Sequence, residues 1–105
     1  MAIAQVYTWH LNPGRLADFM AAAKRVDKIL RGLGAQTRTL NTVSGGTAGA
    51  VLYIVEAGDW KAFGDLNSKI ETDKDWQALL AEVNSTDKPT AELVSSAIYS
   101  EIPLA

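Results

Sequence analysis

The sequence predicts a single α+β domain: a four-stranded antiparallel sheet in β-α-β-β-α-β order, with its helices on one face. Three observations carry this. Both ends of the chain alternate apolar and polar residues with period 2, as strands do. A long stretch near the N-terminus repeats its apolar residues at helical spacing. In the middle, a threonine-rich segment and a β-branched run flank a glycine-rich turn, the pattern of a hairpin.

Strand 1 spans Ala2 to Leu11 and stops at Asn12-Pro13-Gly14, a strong breaker. Period 2 puts Ala4, Val6, Thr8 and His10 on one face, and Ile3, Gln5, Tyr7, Trp9 and Leu11 on the other. From Arg15 to about Arg31, Leu16, Phe19, Met20, Ala23, Val26 and Leu30 form a helical stripe, with Asp18, Lys24, Arg25, Lys28 and Arg31 on the other sides. Gly32 and Gly34 offer the left-handed geometry that ends a helix.

Ala35 to Ser44 reads as strand 2 and Ala50 to Glu56 as strand 3, joined through Ser44-Gly45-Gly46-Thr47-Ala48-Gly49. The nearly continuous apolar run of strand 3 marks it as more central than strand 2. Asp59 is a suitable N-cap for a helix carrying Trp60, Phe63, Leu66 and Ile70 on one stripe. A break near Thr72 and Asp73-Lys74-Asp75 introduce a second short helix to about Asn84, with Trp76, Leu79, Leu80 and Val83. Ser85 to Pro89 is a polar loop, and Glu92 to Ile102 is strand 4, closed by Pro103.

This order is the split-βαβ, ferredoxin-like pattern. Right-handed crossovers place the helices on one side and leave the other sheet face open. Tyr7, Trp9 and Leu11 are expected on that open face, too aromatic for water, so a partner should cover it.

Composition narrows the function classes. The chain has 105 residues, enough for one domain over 1–105 and one shared core. Ten basic and twelve acidic residues give a net charge of −2, which argues against nucleic acid as the main partner. Cysteine is absent, so thiolate metal sites, disulfides and a cysteine nucleophile are excluded. The start MAIAQVYTWH has no basic opening and no long apolar run, so a signal peptide is not expected. No stretch is long and apolar enough for a transmembrane helix. A cytoplasmic protein is the default expectation. Basic residues concentrate in 1–38 and acidic ones beyond, so neighbouring helices of opposite sign should attract weakly.

Strand 1 running into Asn12-Pro13-Gly14-Arg15, a broken second helix with Trp60 and Trp76, and a last strand ending Glu101-Ile102-Pro103 resemble the dimeric α+β barrel superfamily. That superfamily includes antibiotic-biosynthesis-monooxygenase-like, stress-responsive-barrel and NIPSNAP-like proteins. The resemblance implies a homodimer joined through the open sheet faces, with a ligand pocket between sheet and helices in each subunit. It also implies a range of functions, from cofactor-free oxygenation of aromatics to haem degradation, and many members without a known activity. Fold likeness does not transfer chemistry.

Haem-degrading members use a strand-1 asparagine, a helical tryptophan and a helical histidine. Counted back from Gly14, Tyr7 stands where that asparagine would be, and the single histidine, His10, is on strand 1. The haem reading therefore fails in two of three elements, and no cofactor or metal is expected.

His10 has the pKa range of a general base, but a strand-end histidine bonded to backbone or water is the simpler reading. Tyr7, Trp9, Tyr53 and Tyr99 suit the walls of a pocket for a flat apolar ligand, and equally a dimer contact or ordinary core. Arg38 with Glu101 is a candidate pair on strands 2 and 4. Trp60, Phe63 and Trp76 are read as helix residues packing on the sheet. The glycine-rich turn is not a phosphate loop, since no Lys-Ser/Thr follows and it joins two strands. Lys24, Arg25, Lys28 and Arg31 are read as a solvated basic face near a helix C-terminus.

Two functions follow. One is a dimer binding a small apolar or aromatic ligand. The other is a cofactor-independent monooxygenase-like enzyme on an aromatic or quinone-like substrate, with Tyr7, His10 and Tyr99 nearest the chemistry.

Overall fold

The computed structural model describes residues 2–46, 49–84 and 89–104. The elements are β1 (Ile3–Leu11), α1 (Leu16–Gly32), β2 (Gln36–Asn41), β3 (Ala50–Ala57), α2 (Trp60–Thr72), α3 (Lys74–Asn84) and β4 (Ala91–Ser100). The sheet order is β2-β3-β1-β4, with every neighbouring pair antiparallel. The expected α+β, ferredoxin-like architecture is therefore present, including the break in the second helix. β3 is central and β2 an edge, as the apolar run of β3 requires.

Local chemistry explains the boundaries. After Leu11, the Asn12 amide donates to the Thr90 carbonyl at 3.0 Å, and its side-chain nitrogen donates to the Pro89 carbonyl at 2.6 Å. The turn into α1 is thereby tied to the start of β4. α1 ends in a Schellman pair: Gly34 N–H donates to Arg31 O at 3.1 Å, and Ala35 N–H to Leu30 O at 3.0 Å. This requires φ of +100° at Gly34, which glycine adopts without strain. Gly32 stays inside the helix.

The Asp59 carboxylate caps α2 by accepting from Ala62 N–H at 2.7 Å. Asp73 leaves the helical conformation, and its side chain accepts from Trp76 N–H at 2.8 Å, so the second helix is restarted by its own cap. β2 stops at Asn41, short of the expected Ser44, and Val43 beyond it is 93% exposed. Thr47 and Ala48 of the glycine-rich turn, and Ser85 to Lys88 of the expected polar loop, lie outside the described residues.

The register corrects one expectation. Tyr7 pairs with Tyr53, and Trp9 with Val51. Tyr7 and Trp9 pack against the core cluster of Leu30, Ala35, Tyr53 and Leu66, beneath the helices. The division of strand 1 into two faces stands, but the aromatic set points to the helix layer. Its bulk fills that layer, with Phe19 of α1 meeting Trp9 at a ring separation of 6.4 Å. By strand alternation the open face carries Val6, Thr8 and His10 of β1, Leu52, Ile54 and Glu56 of β3, Arg38 and Leu40 of β2, and Tyr99 of β4. It is aliphatic with a polar margin, and its one large aromatic residue is Tyr99.

β4 differs from the other strands. A bulge against Thr8/Trp9 interrupts its pairing: Ser95 pairs with Thr8, whereas Leu93 pairs with Trp9. Helix packing reaches β2 from α1 and β3 from α2. On the helix-facing side of β4, Leu93 remains 49% exposed and Ile98 51%.

Candidate functional site

The helix-facing side of the sheet brings three predicted site residues together. Tyr7 and Tyr53 are direct cross-strand neighbours, and Trp9 follows two residues along β1. Val26, Ile70 and Trp76 close on the same cluster from the helices. On the far side of Tyr7 the sheet continues to Ser96 of β4, whose hydroxyl accepts from the Gln5 side-chain nitrogen at 3.2 Å.

The two tyrosines differ in their hydroxyls. Tyr53 is buried, and its hydroxyl donates to the Asp27 carboxylate of α1 at 3.1 Å. That carboxylate also accepts from the Thr37 hydroxyl of β2 and pairs with Arg31 at 2.8 Å. Arg31 in turn donates to the Thr37 hydroxyl at 2.9 Å and carbonyl at 3.2 Å. Burial, and then the bond to Asp27 and its charge, push the Tyr53 hydroxyl well above its usual pKa. For Asp27, burial pushes upward, but the Thr37 and Tyr53 hydrogen bonds and the Arg31 charge outweigh it, and the net shift is downward. Tyr7 is half-buried, which raises its pKa, and its hydroxyl makes no hydrogen bond among the described residues.

The other predicted residues lie elsewhere. His10 and Tyr99 are on the open face, both exposed, with His10 paired across to Glu92 and Tyr99 to Ala4. Arg38 is on the open face at the opposite edge, in an ion pair with Glu56 at 2.8 Å. The expected Arg38–Glu101 pair does not form, because β2 and β4 are the two edges of one sheet, separated by β3 and β1. Trp60 also departs from expectation. It is 61% exposed and stacks edge-on against Phe63 instead of the sheet. Of the basic face on α1, Arg25 binds Glu82 of α3 through two 2.9 Å bonds, the expected attraction between oppositely charged helices.

Sequence reasoning missed Asp27 and Thr37, and placed Arg31 only on a solvated basic face, whereas it binds both of them. The available signal was position: Asp27 follows Met20 by seven residues and Ala23 by four, at the margin of the apolar stripe of α1.

Two clefts open elsewhere. One, of about 250 Å³, lies among Leu33, Gln36, Ala57, Ala62, Leu66 and Lys69. The other, of about 540 Å³, runs between α1 and α3 along Arg25, Lys28, Ile29, Asp73, Asp75 and Ala78. Neither is lined by Tyr7, Trp9, Arg38, Tyr53 or Tyr99. Among the described residues no group of His, Cys, Asp or Glu could hold a metal ion, and no helix is long and apolar enough to cross a membrane.

No protein-family model and no curated protein matches the sequence. Solved structures do match its fold. An uncharacterised NIPSNAP domain protein from Burkholderia xenovorans superposes with a TM-score of 0.70 at 15% identity, covering 98% of this chain and 97% of that one. A NIPSNAP family protein of unknown function from Agrobacterium tumefaciens gives 0.72 at 12% identity, covering 99% and 91%. SnoaB, a cofactor-independent oxygenase from Streptomyces nogalater, gives 0.66 at 10% identity, covering 95% and 92%.

Proposed function

We propose that this chain, which has the fold of the NIPSNAP-domain proteins and of the oxygenase SnoaB, acts as a homodimer that binds a small, flat, apolar or aromatic ligand. The observation that carries this reading is the exposure of apolar side chains on the helix-facing side of β4. Leu93 beyond Trp9 and Ile98 beyond Gln5 are each about half exposed on the helix-facing side, with Ser96 between them beside Tyr7. On α3, Leu80 and Val83 extend the stripe begun by Trp76, at spacings of four and seven, and are 41% and 51% exposed. We read these side chains as the walls of a trough beside two aromatic rings and a tyrosine hydroxyl, the chemistry that suits such ligands.

Dimerisation is supported by area. A folded monomer of 11.3 kDa exposes about 5,700 Å² by the usual scaling with mass. This chain exposes 7214 Å², an excess on the order of 1,500 Å². A standard interface takes about 800 Å² from each partner, and obligate ones more. The molecule is also flat, 17 Å along its shortest axis. A second copy on the aliphatic open face, related by a two-fold axis, would remove much of that excess.

The oxygenase reading needs Tyr7, His10 and Tyr99 around one substrate. The sheet separates Tyr7 from the other two, which supports binding over catalysis. Titration with naphthalene, followed residue by residue in amide NMR spectra, tests the site. Shifts should centre on Tyr7, Trp9, Leu93 and Ile98. Shifts confined to the α1–α3 cleft at Lys28 and Asp75 would overturn it.

A further inference from the structure

Tyr7 and Tyr53 present the same functional group to the same face of the sheet, yet their surroundings make them unequal. The Tyr53 hydroxyl is held by Asp27, which is itself fixed by Thr37 and Arg31. A hydroxyl donating to a carboxylate has committed its single proton to that hydrogen bond, and exchanging that charged acceptor for a neutral ligand is unfavourable. Ser96, beside Tyr7 on β4, accepts from the Gln5 side-chain nitrogen. The Tyr7 hydroxyl has no partner among the described residues, and it is not a buried unsatisfied group. It can therefore both donate and accept.

We propose that Tyr7 is the polar anchor of the trough, and that Asp27 is a positioning residue that withholds Tyr53 from ligand recognition. The site then selects flat apolar molecules bearing one hydroxyl or carbonyl group, and gains nothing from a second such group beside the first. This rests on the ligand-binding reading above and deepens it by assigning the specificity.

Equilibrium dialysis with three probes tests it: naphthalene, 2-naphthol and 2,3-dihydroxynaphthalene. The native protein should bind 2-naphthol about five- to tenfold more tightly than naphthalene, the worth of one hydrogen bond. The vicinal diol should gain nothing more. Tyr7→Phe should remove the 2-naphthol advantage over naphthalene. Asp27→Ala should release Tyr53 and favour the diol over 2-naphthol severalfold, and adding Tyr53→Phe should abolish that gain. Because the double variant differs from Asp27→Ala by one hydroxyl, a general loosening of the fold would not produce this pattern. If Asp27→Ala does not fold, Asp27→Asn serves, with a smaller gain for the diol. Equal binding of naphthalene and 2-naphthol in the native protein overturns the anchor role while leaving the trough. Unchanged diol binding in folded Asp27 variants overturns the positioning role. Failure of all three probes to bind overturns the trough and this inference with it.

Discussion

Tyr7 and Tyr53 stand directly opposite each other on adjacent antiparallel strands, and only Tyr53 donates a hydrogen bond to Asp27. One ring is locked to α1 through a charged acceptor, and its neighbour is not. The Asp27 contacts thus serve two ends. They fasten α1 to β2 and β3, and they distinguish two otherwise equivalent side chains.

The acid side of this fastening is measurable. The Asp27 carboxyl titrates below its ordinary value in the folded chain, so its contribution is fully present above the unfolded value, near 4, and is lost as pH falls through the folded one. Melting temperatures from pH 6 to pH 2 should therefore fall more steeply for the native protein than for Asp27→Asn. At neutral pH that variant should cost about 1–3 kcal/mol, since it weakens the acceptor for two hydroxyls. Parallel curves for the two proteins would show that Asp27 contributes no linkage.

Tyr53 predicts the alkaline limb with the opposite sign. Its folded pKa is raised, so the stabilisation holds below the unfolded value near 10 and fades as pH rises above it. Tyr53→Phe should be less stable than the native chain at pH 7, and the gap should narrow between pH 9.5 and 11.5. Denaturant melts across that interval provide the check.

Dimerisation is tested with residues already exposed in a single copy, so that the fold itself is spared. Leu40 and Tyr99, on the open face, are 45% and 58% exposed. Leu40→Asp and Tyr99→Asp should retain the native circular dichroism spectrum and weaken self-association by tenfold or more, because each places a charge against the partner's sheet. Light scattering at micromolar concentration should give twice 11.3 kDa for the native protein. Charged substitutions at Tyr7 or Trp9 should unfold the chain instead, since both rings pack on the core.

Haem should not bind at a stoichiometric site. The single histidine is exposed on the open sheet face, away from the helix-side aromatic residues. A sharp Soret shift at one equivalent, abolished by His10→Ala, would refute this.

Helix capping gives a local test. Asp59→Ala should destabilise the protein by about 0.5–2 kcal/mol through loss of the cap on Ala62, with Asn largely restoring it. Chemical denaturation of the three proteins resolves the difference.

Most of the architecture was legible because it rests on local rules. The alternation of β1, the stripe of α1 and the caps at Asp59 and Gly34 each depend on residues within a few positions of one another. Which face of β1 the helices would cover was not local. Tyr7 and Trp9 are equally suited to a helix layer or a partner's sheet, and the choice was made by Phe19, Leu30 and Leu66, distant in sequence. For the same reason the division of Tyr7 from His10 and Tyr99 could be read only partly. Odd and even positions of β1 separate Tyr7 from His10 at once, whereas the face of Tyr99 depends on the β1–β4 register. The Asp27 cluster draws its members from α1, β2 and β3, and no spacing in the sequence links Thr37 to Tyr53.

The bulge in β4 has a consequence for how this chain tolerates changes in length. On either side of it, opposite numerical parities point toward the helices: Leu93 does so beside Trp9, and Ser96 beside Tyr7. Val94 is the residue that reconciles the two halves. Deleting it would join Leu93 to Ser95 in regular alternation, with Leu93 still on its side opposite Trp9 and the Asn12–Thr90 bond in place. An insertion at the same point would instead leave two residues without a partner on β1, and regular pairing could be recovered only by sliding Leu93 from Trp9 to Leu11. Close to the middle of its last strand the chain thus carries a spare residue: one codon lost there leaves the sidedness of every residue back to the Pro89 turn as it was, while one gained costs the strand its register.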